Sequence, residues 1–416
     1  MKILWITNLL FPEAMSRMTG NCELKTTGGW MLGLSDILVE QSGVCLSVAT
    51  VSNLVKSLTR IKGKNITYYV IPLGKGNIVY NKTYELYWKQ IKKEVQPDVV
   101  HIHGTEFTHG LAYVNACGNE KIVVSIQGLK YGIAPYYCAG LTWKEIYRNI
   151  TFHDIFKGGI YKEQRRFYRT AKLEIDILRK VNHIIGRTSW DMAYVRAINP
   201  DATYHCCNEI LRKEFYDNDY WEYEKCTKHS IFLSQAGYPV KGLHQVINAL
   251  PFVQHYYPDT TIRIAGRDIT YNKGLWGILH FTGYGKIIKD LIRKYHMEHK
   301  IIFLGHLNAK QMKQEYLHCN LFICPSSIEN SPNSLGEAQI LGVPCIASYV
   351  GGIPDMMQNN ENGLYRFEEI EMLANKICSV FDNVDMDMIG AMRVQAKERH
   401  NANNNVLQLL SIYNHL

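Results

Sequence analysis

The 416 residues predict an α/β chain of two open parallel sheets, each covered by helices on both faces. Three observations carry this expectation. The chain is too long for one ordinary core, and two domains of roughly 200 residues fit it. Apolar runs of strand length recur between helical spacers, and they do so in two separate series. The stretch from Leu321 to Pro354 reads as a complete strand–helix–strand unit. In it an apolar run Leu321–Cys324 leads into a polar loop Pro325–Pro332, and Ser334–Leu341 has helical character. Gly342 is a natural stop, and Val343–Ala347 is the next strand.

The first series opens with a strand at Lys2–Thr7, followed by a long polar connection over 8–27. A helix then starts at the pair Gly28 and Gly29, with Trp30, Leu34, Ile37 and Leu38 at helical spacing and Gly43 at its end. Strands follow at Cys45–Val51, Ile66–Ile71, Val99–His103 and Ile122–Ile126. His101 and His103 share one strand face and His109 lies beyond its end, but spacing supplies neither a carboxylate nor a third ligand for a metal. Residues 143–180 interleave Lys and Arg with Tyr and Phe, which suits either a solvated helix face or a surface for an anionic membrane or a lipid-linked acceptor. "HIIGRTSWD" from His183 is a strand with Arg187 at its end, placed as a core ion-pair partner or as a phosphate or sugar ligand.

Residues 213–228 show no periodicity and are expected to link the domains. The second series begins at Ile231, with strands at Thr261–Ala265, Lys300–Leu304, Leu321–Cys324 and Cys345–Ala347. Its first loop puts Lys241 and Gly242 at a helix start, where an ammonium suits a diphosphate or is simply solvated. The expected organisation is therefore 1–212, a link 213–228, a second domain 229–391, and a helical tail 392–416.

Composition narrows the function. Apolar residues make up 46% and charged residues 20%, which is globular. The net charge of +8 suits phosphorylated ligands or an anionic membrane surface, and no nucleic-acid motif accompanies it. Eleven scattered cysteines without a Cys-x-x-Cys pair suggest neither a disulfide framework nor a zinc ribbon, so reduced thiols in a cytoplasm are expected. No apolar run approaches the ~20 residues that span a bilayer, and the N-terminus reads as a strand rather than a leader.

In an open parallel sheet, ligands bind beyond the carboxyl ends of strands, where helix N-termini attract anions. A phosphate is therefore expected at Asn333, Ser334 and Leu335, with Gly336 allowing close approach. Two carboxylates flank that place. Glu329 stands in the loop as a ligand or a solvated group, and Glu337 stands eight positions on, as a ligand or as the capping-box partner of Ser334.

The whole run resembles retaining nucleotide-sugar glycosyltransferases of the GT-B fold, the group called family 4. The residues that carry the resemblance are Glu329, Glu337, Ala338, "GVPCIA" from Gly342 and "GGIPD" from Gly351. "DVVHIHG", the strand with Gln127 after it, and Lys241 with Gly242 are similar to further family positions. The resemblance implies two Rossmann-like domains facing each other across a cleft, with a last helix that returns to the first domain. It implies a donor site of Gly29, Arg187, Lys241, Gly242, Asn333, Ser334, Leu335 and Glu337. Glu337 would bind the ribose and Glu329 the donor sugar, the two being taken as the catalytic pair.

The acceptor side would include His103 and Gln127. Gln127 occupies a place where the family often has His, and Gln donates a hydrogen bond but takes up no charge. The chain also departs from the family at Ala236, where an Arg is usual and where Arg187 or Arg267 would compensate, and at Glu209, where the linker start usually has Gly.

The function so implied is transfer of a sugar, with retention, from a nucleotide-diphosphate sugar (a UDP-sugar for preference) to a glycan or lipid-linked acceptor, in surface polysaccharide synthesis. No cofactor or metal is expected, since the resemblance implies a metal-independent reaction. The location implied is cytoplasmic, including the inner face of the membrane. Two rivals are a nucleotide-sugar epimerase of the same fold, which would form epimer without acceptor, and a non-catalytic sugar-binding protein, which would bind sugar without nucleotide.

Overall fold

The computed structural model describes residues 1–20, 29–74 and 80–416, which form two compact units. Residues 1–132, 167–212 and 400–416 make the first unit; residues 133–166 and 213–399 make the second. Gly28 and Cys22 lie outside the described residues. The expected alternation of strands and helices holds in both units.

In the first unit, strands β1 (Lys2–Ile6), β2 (Cys45–Ser52), β3 (Thr59–Lys62), β4 (Ile66–Pro72), β5 (Val99–His103), β6 (Ile122–Ser125), β7 (His183–Gly186) and β8 (Thr203–Cys206) form one sheet. Its order is β3-β4-β2-β1-β5-β6-β7-β8, parallel except for the edge strand β3. Apolar residues cover both of its faces, as a parallel sheet requires. One core gathers Ile6, Trp88, Ile102, Leu111 and Val124, and the other gathers Trp5, Leu38, Val48 and Val123 with Leu409 and Tyr413 of the returning helix Ala402–Asn414.

Part of the connection expected over 8–27 is a helix, Pro12–Thr19. Pro12 sits in its first turn, where a missing N–H costs nothing, and Gly20 ends it in the left-handed region. Strands β3 and β8 were not legible, because each is short and only partly buried.

In the second unit, β9 (Thr227–Leu233), β10 (Thr261–Ile264), β11 (Ile301–Phe303), β12 (Cys319–Cys324), β13 (Cys345–Ser348) and β14 (Leu364–Tyr365) form a parallel sheet in the order β11-β10-β9-β12-β13-β14. Helices Leu243–Tyr256, Gly283–Lys294, Ala309–His318 and Asn333–Leu341 lie between its strands, and Ile370–Asp382 follows the last of them. Residues 213–228 are not a loose tether. Phe215 and Trp221 are buried, and Trp221 Nε1 donates to the Cys319 carbonyl at 2.7 Å.

Residues 133–166 are fastened to the second unit by polar contacts. His244 Nε2 donates to the Ala139 carbonyl at 2.9 Å, Ser327 Oγ to the Tyr136 carbonyl at 2.9 Å, and Thr151 Oγ1 to the Phe281 carbonyl at 2.6 Å. Burial pushes His244 down to about 4, so the ring stays neutral and keeps both of its hydrogen bonds, the second being to the Tyr284 hydroxyl.

Candidate active site

In the second unit the carboxyl ends of β9, β12 and β13 carry the loops that hold the expected donor residues. After β9 the chain makes a tight turn, Pro239–Lys241, and Gly242 then starts helix Leu243–Tyr256. Gly242 has φ +69°, and a Cβ there would collide with the Pro325 carbonyl, so glycine alone lets this turn sit on the loop after β12. The Ser327 amide closes the contact by donating to the Val240 carbonyl at 2.8 Å.

That packing brings Lys241 Nζ to 2.5 Å from Glu329 Oε1, and Ser326 Oγ donates to the same oxygen at 2.9 Å. Burial acts to lower the Lys241 pKa, but the Glu329 charge outweighs it and holds the ammonium above its ordinary value. Burial, helped by the Glu329 charge, pushes the neighbouring Cys324 thiol up to about 12, so it stays protonated and is no nucleophile. The Glu329 backbone is pinned from the far side, where Gly352 N donates to its carbonyl at 3.0 Å. Gly351, at φ +54°, leaves room that a side chain would close.

The helix after this loop runs Asn333–Leu341. Its N-cap is Pro332, without a side-chain cap, so Ser334 is already inside the helix and the capping box expected for Ser334 and Glu337 does not form. Leu335 N and Gly336 N donate to the Pro332 carbonyl at 3.0 and 3.3 Å, and the helix's own ladder begins there. Asn333 and Ser334 are the first two helical residues, whose amides no helical carbonyl serves. Tyr316 donates to the Ser334 carbonyl at 2.9 Å and fixes the turn. Glu337 is 4% exposed, within the same helix. Thus Lys241, Gly242, Glu329, Asn333, Ser334, Leu335 and Glu337 all lie on two adjoining loop-to-helix connections of one unit.

Gly29, Gln127, His103 and Arg187 lie in the first unit. Gly29 begins helix Gly29–Val39, with the Arg212 stem packed against the space its Cβ would take. Arg187 is 6% exposed. It pairs with Glu209, and its Nη2 donates to the carbonyls of Ile126 at 2.7 Å and Gln127 at 3.0 Å. An incoming phosphate would have to displace Glu209 to reach it.

His103 closes β5, stacked on His101 at 3.7 Å and against Trp5 and Trp30. Neither of its ring nitrogens has a hydrogen-bond partner among the described residues, and burial pushes the ring down to about 3. His103, Arg187, Glu209 and Trp30 line a cavity of about 30 Å³, the space of one water. His101 is satisfied by the Tyr413 hydroxyl at 2.6 Å and the Ser125 hydroxyl at 2.5 Å.

Sequence reasoning missed Ser326, Tyr316 and the Glu209 partnership. Glu209 did leave a signal, an acid where the resembling proteins have glycine, and Ser326 another, a hydroxyl three residues before the loop carboxylate.

Among the described residues no group of three or more His, Cys, Asp or Glu could hold a metal ion, and no helix is long and apolar enough to cross a membrane.

Residues 222–400 match the family Glycosyl transferases group 1. The match begins in the segment before β9 and contains every residue of the second unit expected at the donor site. Glycogen synthase of Mycobacterium tuberculosis is 27% identical over 144 residues, 34% of this chain and 31% of that protein. The chain spans about a fifth to a third of the length of the first curated relatives it matches, 20% and 31%.

Solved structures align over the whole chain. Sucrose-phosphate synthase of Thermosynechococcus elongatus has a TM-score of 0.67 at 15% identity, covering 99% of this chain and 98% of that one. HepE of Anabaena, solved with UDP-glucose, has a TM-score of 0.66 at 14% identity, covering 100% and 99%. The fold is that of these GT-B proteins, and the group 1 match supports a glycosyltransferase.

Proposed function

We propose that the protein is a retaining glycosyltransferase of family 4 that moves a sugar from a nucleotide-diphosphate sugar, UDP-sugar for preference, to a glycan or lipid-linked acceptor. The observation that carries this is the Lys241–Glu329 pair, on the turn after β9 and on the loop that leads into helix Asn333–Leu341. A leaving diphosphate gathers negative charge, and a fixed ammonium beside helix amides stabilises that charge without a metal. When the diphosphate takes the Lys241 ammonium, Glu329 is released and accepts hydrogen bonds from the donor sugar, with Ser326 holding one of its oxygens. Glu337 binds the ribose hydroxyls.

Arg267 supplies the second cation in place of the missing Arg at Ala236. Ile264 pairs with Leu233, so Arg267 and Ala236 stand at the same distance beyond the ends of their paired strands, and Arg267 is exposed. The first unit would serve the acceptor and the second the donor, with the last helix, Ala402–Asn414, returning to the first unit. Surface polysaccharide synthesis, at the inner face of a membrane, is the setting.

A screen of nucleotide sugars and acceptors with a chelator present, read as released nucleotide, should show acceptor-dependent release from one donor. Epimer formed without acceptor would replace this reading with an epimerase. Sugar binding without nucleotide would replace it with a binding protein.

A further inference from the structure

The aromatic residues that face solvent are not spread along 143–180. In helix Ile160–Lys180 the only exposed large apolar side chain is Tyr168, so most of that helix is a solvated face. The exposed apolar residues gather instead on short helices of the second unit, Trp143–Arg148, Phe152–Lys157 and Gly274–His280, the last two packed on each other. Phe152, Ile155 and Phe156 on one, and Leu275, Trp276 and Ile278 on the other, are between 50% and 75% exposed. Six large apolar side chains turned outward on adjoining helices are more than a soluble surface ordinarily presents singly.

The helices are held firmly. Thr142 and Thr151 each form a capping box, Thr151 Oγ1 donates to the Phe281 carbonyl, and Lys286 Nζ donates to the Arg148 carbonyl at 3.1 Å.

Charge decides the occupant. Lys144, Arg148, Lys157 and Lys273 are exposed on or beside the same helices. The local acids Glu145 and Asp154 are turned back into the capping boxes, accepting from the Thr142 and Thr151 amides at 2.7 and 3.1 Å. Aromatic and aliphatic side chains rimmed by exposed cations match the boundary of an anionic bilayer, with the rings among the acyl chains and the ammonium groups at the phosphates. We infer that the face formed by helices Trp143–Arg148, Phe152–Lys157 and Gly274–His280 docks the protein on an anionic lipid surface. The inference supplies a surface for the membrane placement proposed above, and it does not depend on the transfer chemistry.

The full chain should co-sediment with phosphatidylcholine–phosphatidylglycerol vesicles, bind neutral phosphatidylcholine vesicles far less, and be released by salt, because exposed charges are screened over about 10 Å at 0.1 M. Phe156→Ser combined with Trp276→Ser should lower partitioning by about a hundredfold. Lys144→Ala with Lys157→Ala should remove the preference for anionic vesicles. All of these side chains are exposed, so thermal unfolding and nucleotide binding should be unchanged, which separates loss of docking from loss of fold or of the donor site. Wild type that ignores anionic vesicles, or a double variant that binds them as well as wild type, overturns the inference. A wild-type dimer that the same variant splits in sedimentation velocity assigns the face to a second copy and overturns it too.

Discussion

In each unit an ion pair with little exposure stands at the carboxyl end of the sheet, Lys241–Glu329 in one and Arg187–Glu209 in the other, and the two differ in what else engages the cation. In the second unit Lys241 has Glu329 as its charged partner, the two side chains are 20% and 16% exposed, and both stand on loop-to-helix connections. In the first unit Arg187 is 5% exposed at its side chain and is held by Glu209 and by two backbone carbonyls. A pair that an incoming anion can open is suited to binding. A pair locked by the backbone is suited to fixing the ends of β6 and β7. The same chemistry, an acid beside a base at a strand end, is therefore accessible to a ligand in one place, as the proposed function requires, and held by the fold in the other.

Removing each cation breaks this comparison most directly. Arg187→Met should leave Glu209 poorly solvated beside an apolar stub and lower stability by about 3 to 5 kcal/mol. Lys241→Met, in a pair more open to water and with Ser326 still donating to Glu329, should cost less, about 1 to 2 kcal/mol. Urea unfolding of both variants measures the difference. Equal losses would mean that the Lys241 pair is as structural as the other. Tight nucleotide binding that vanishes in folded Arg187→Met would return Arg187 to the donor site.

The second unit was the more legible in sequence because its site is local. The loop 325–332, its carboxylates and the helix after it lie within one strand–helix–strand unit, where spacing fixes placement. Lys241 came from the neighbouring connection, and its salt bridge to Glu329 was not foreseen, since contact across 88 residues depends on how Gly242 packs on Pro325. In the first unit the strands were readable from their apolar runs, but the roles of Arg187 and His103 depend on three-dimensional neighbours. Tyr413, from the last helix, satisfies His101, and no local pattern links them. Short half-buried elements such as β3 and β14 carry too little periodicity to be seen.

A second prediction sharpens the picture of the first unit as the home of structural charge. Glu174 is fully buried; it accepts from the Thr105 hydroxyl at 2.7 Å and the Tyr131 amide at 2.9 Å. Burial pushes it up to about 7 from an ordinary 4.5, and nearby Glu106 adds to the rise. Its folded form keeps the proton while the unfolded chain releases it, so stability is full below about pH 4.5 and falls as pH rises toward 7. The loss amounts to about 3 kcal/mol. Glu174→Gln has no such loss and should gain about that much on wild type between pH 5 and pH 8, read as urea midpoints. The buried histidines act equally in both proteins and cancel in the difference. A pH-independent gap would show that Glu174 ionises normally in the fold.

The finest test divides the second-unit site by ligand. Lys241→Ala should weaken nucleotide-diphosphate binding by roughly 1.5 to 3 kcal/mol, as loss of a charge-assisted contact, and leave nucleoside binding nearly unchanged. Because Glu329 touches Lys241, Glu329→Gln does more than spare the nucleotide. It frees the ammonium from its internal partner, so diphosphate affinity should hold or rise while sugar transfer falls. Glu337→Gln should weaken nucleoside and nucleotide diphosphate alike, by about 1 kcal/mol, through the ribose. Since Pro332 and not Ser334 is the N-cap, a stability change in this variant is not the loss of a Ser334–Glu337 capping box. Calorimetry of the three variants against nucleoside, nucleotide diphosphate and nucleotide sugar distinguishes these roles. Weaker diphosphate binding in Glu329→Gln would mean that the pair holds the anion jointly and does not open for it, and the contrast with Arg187 and Glu209 would then be one of degree only.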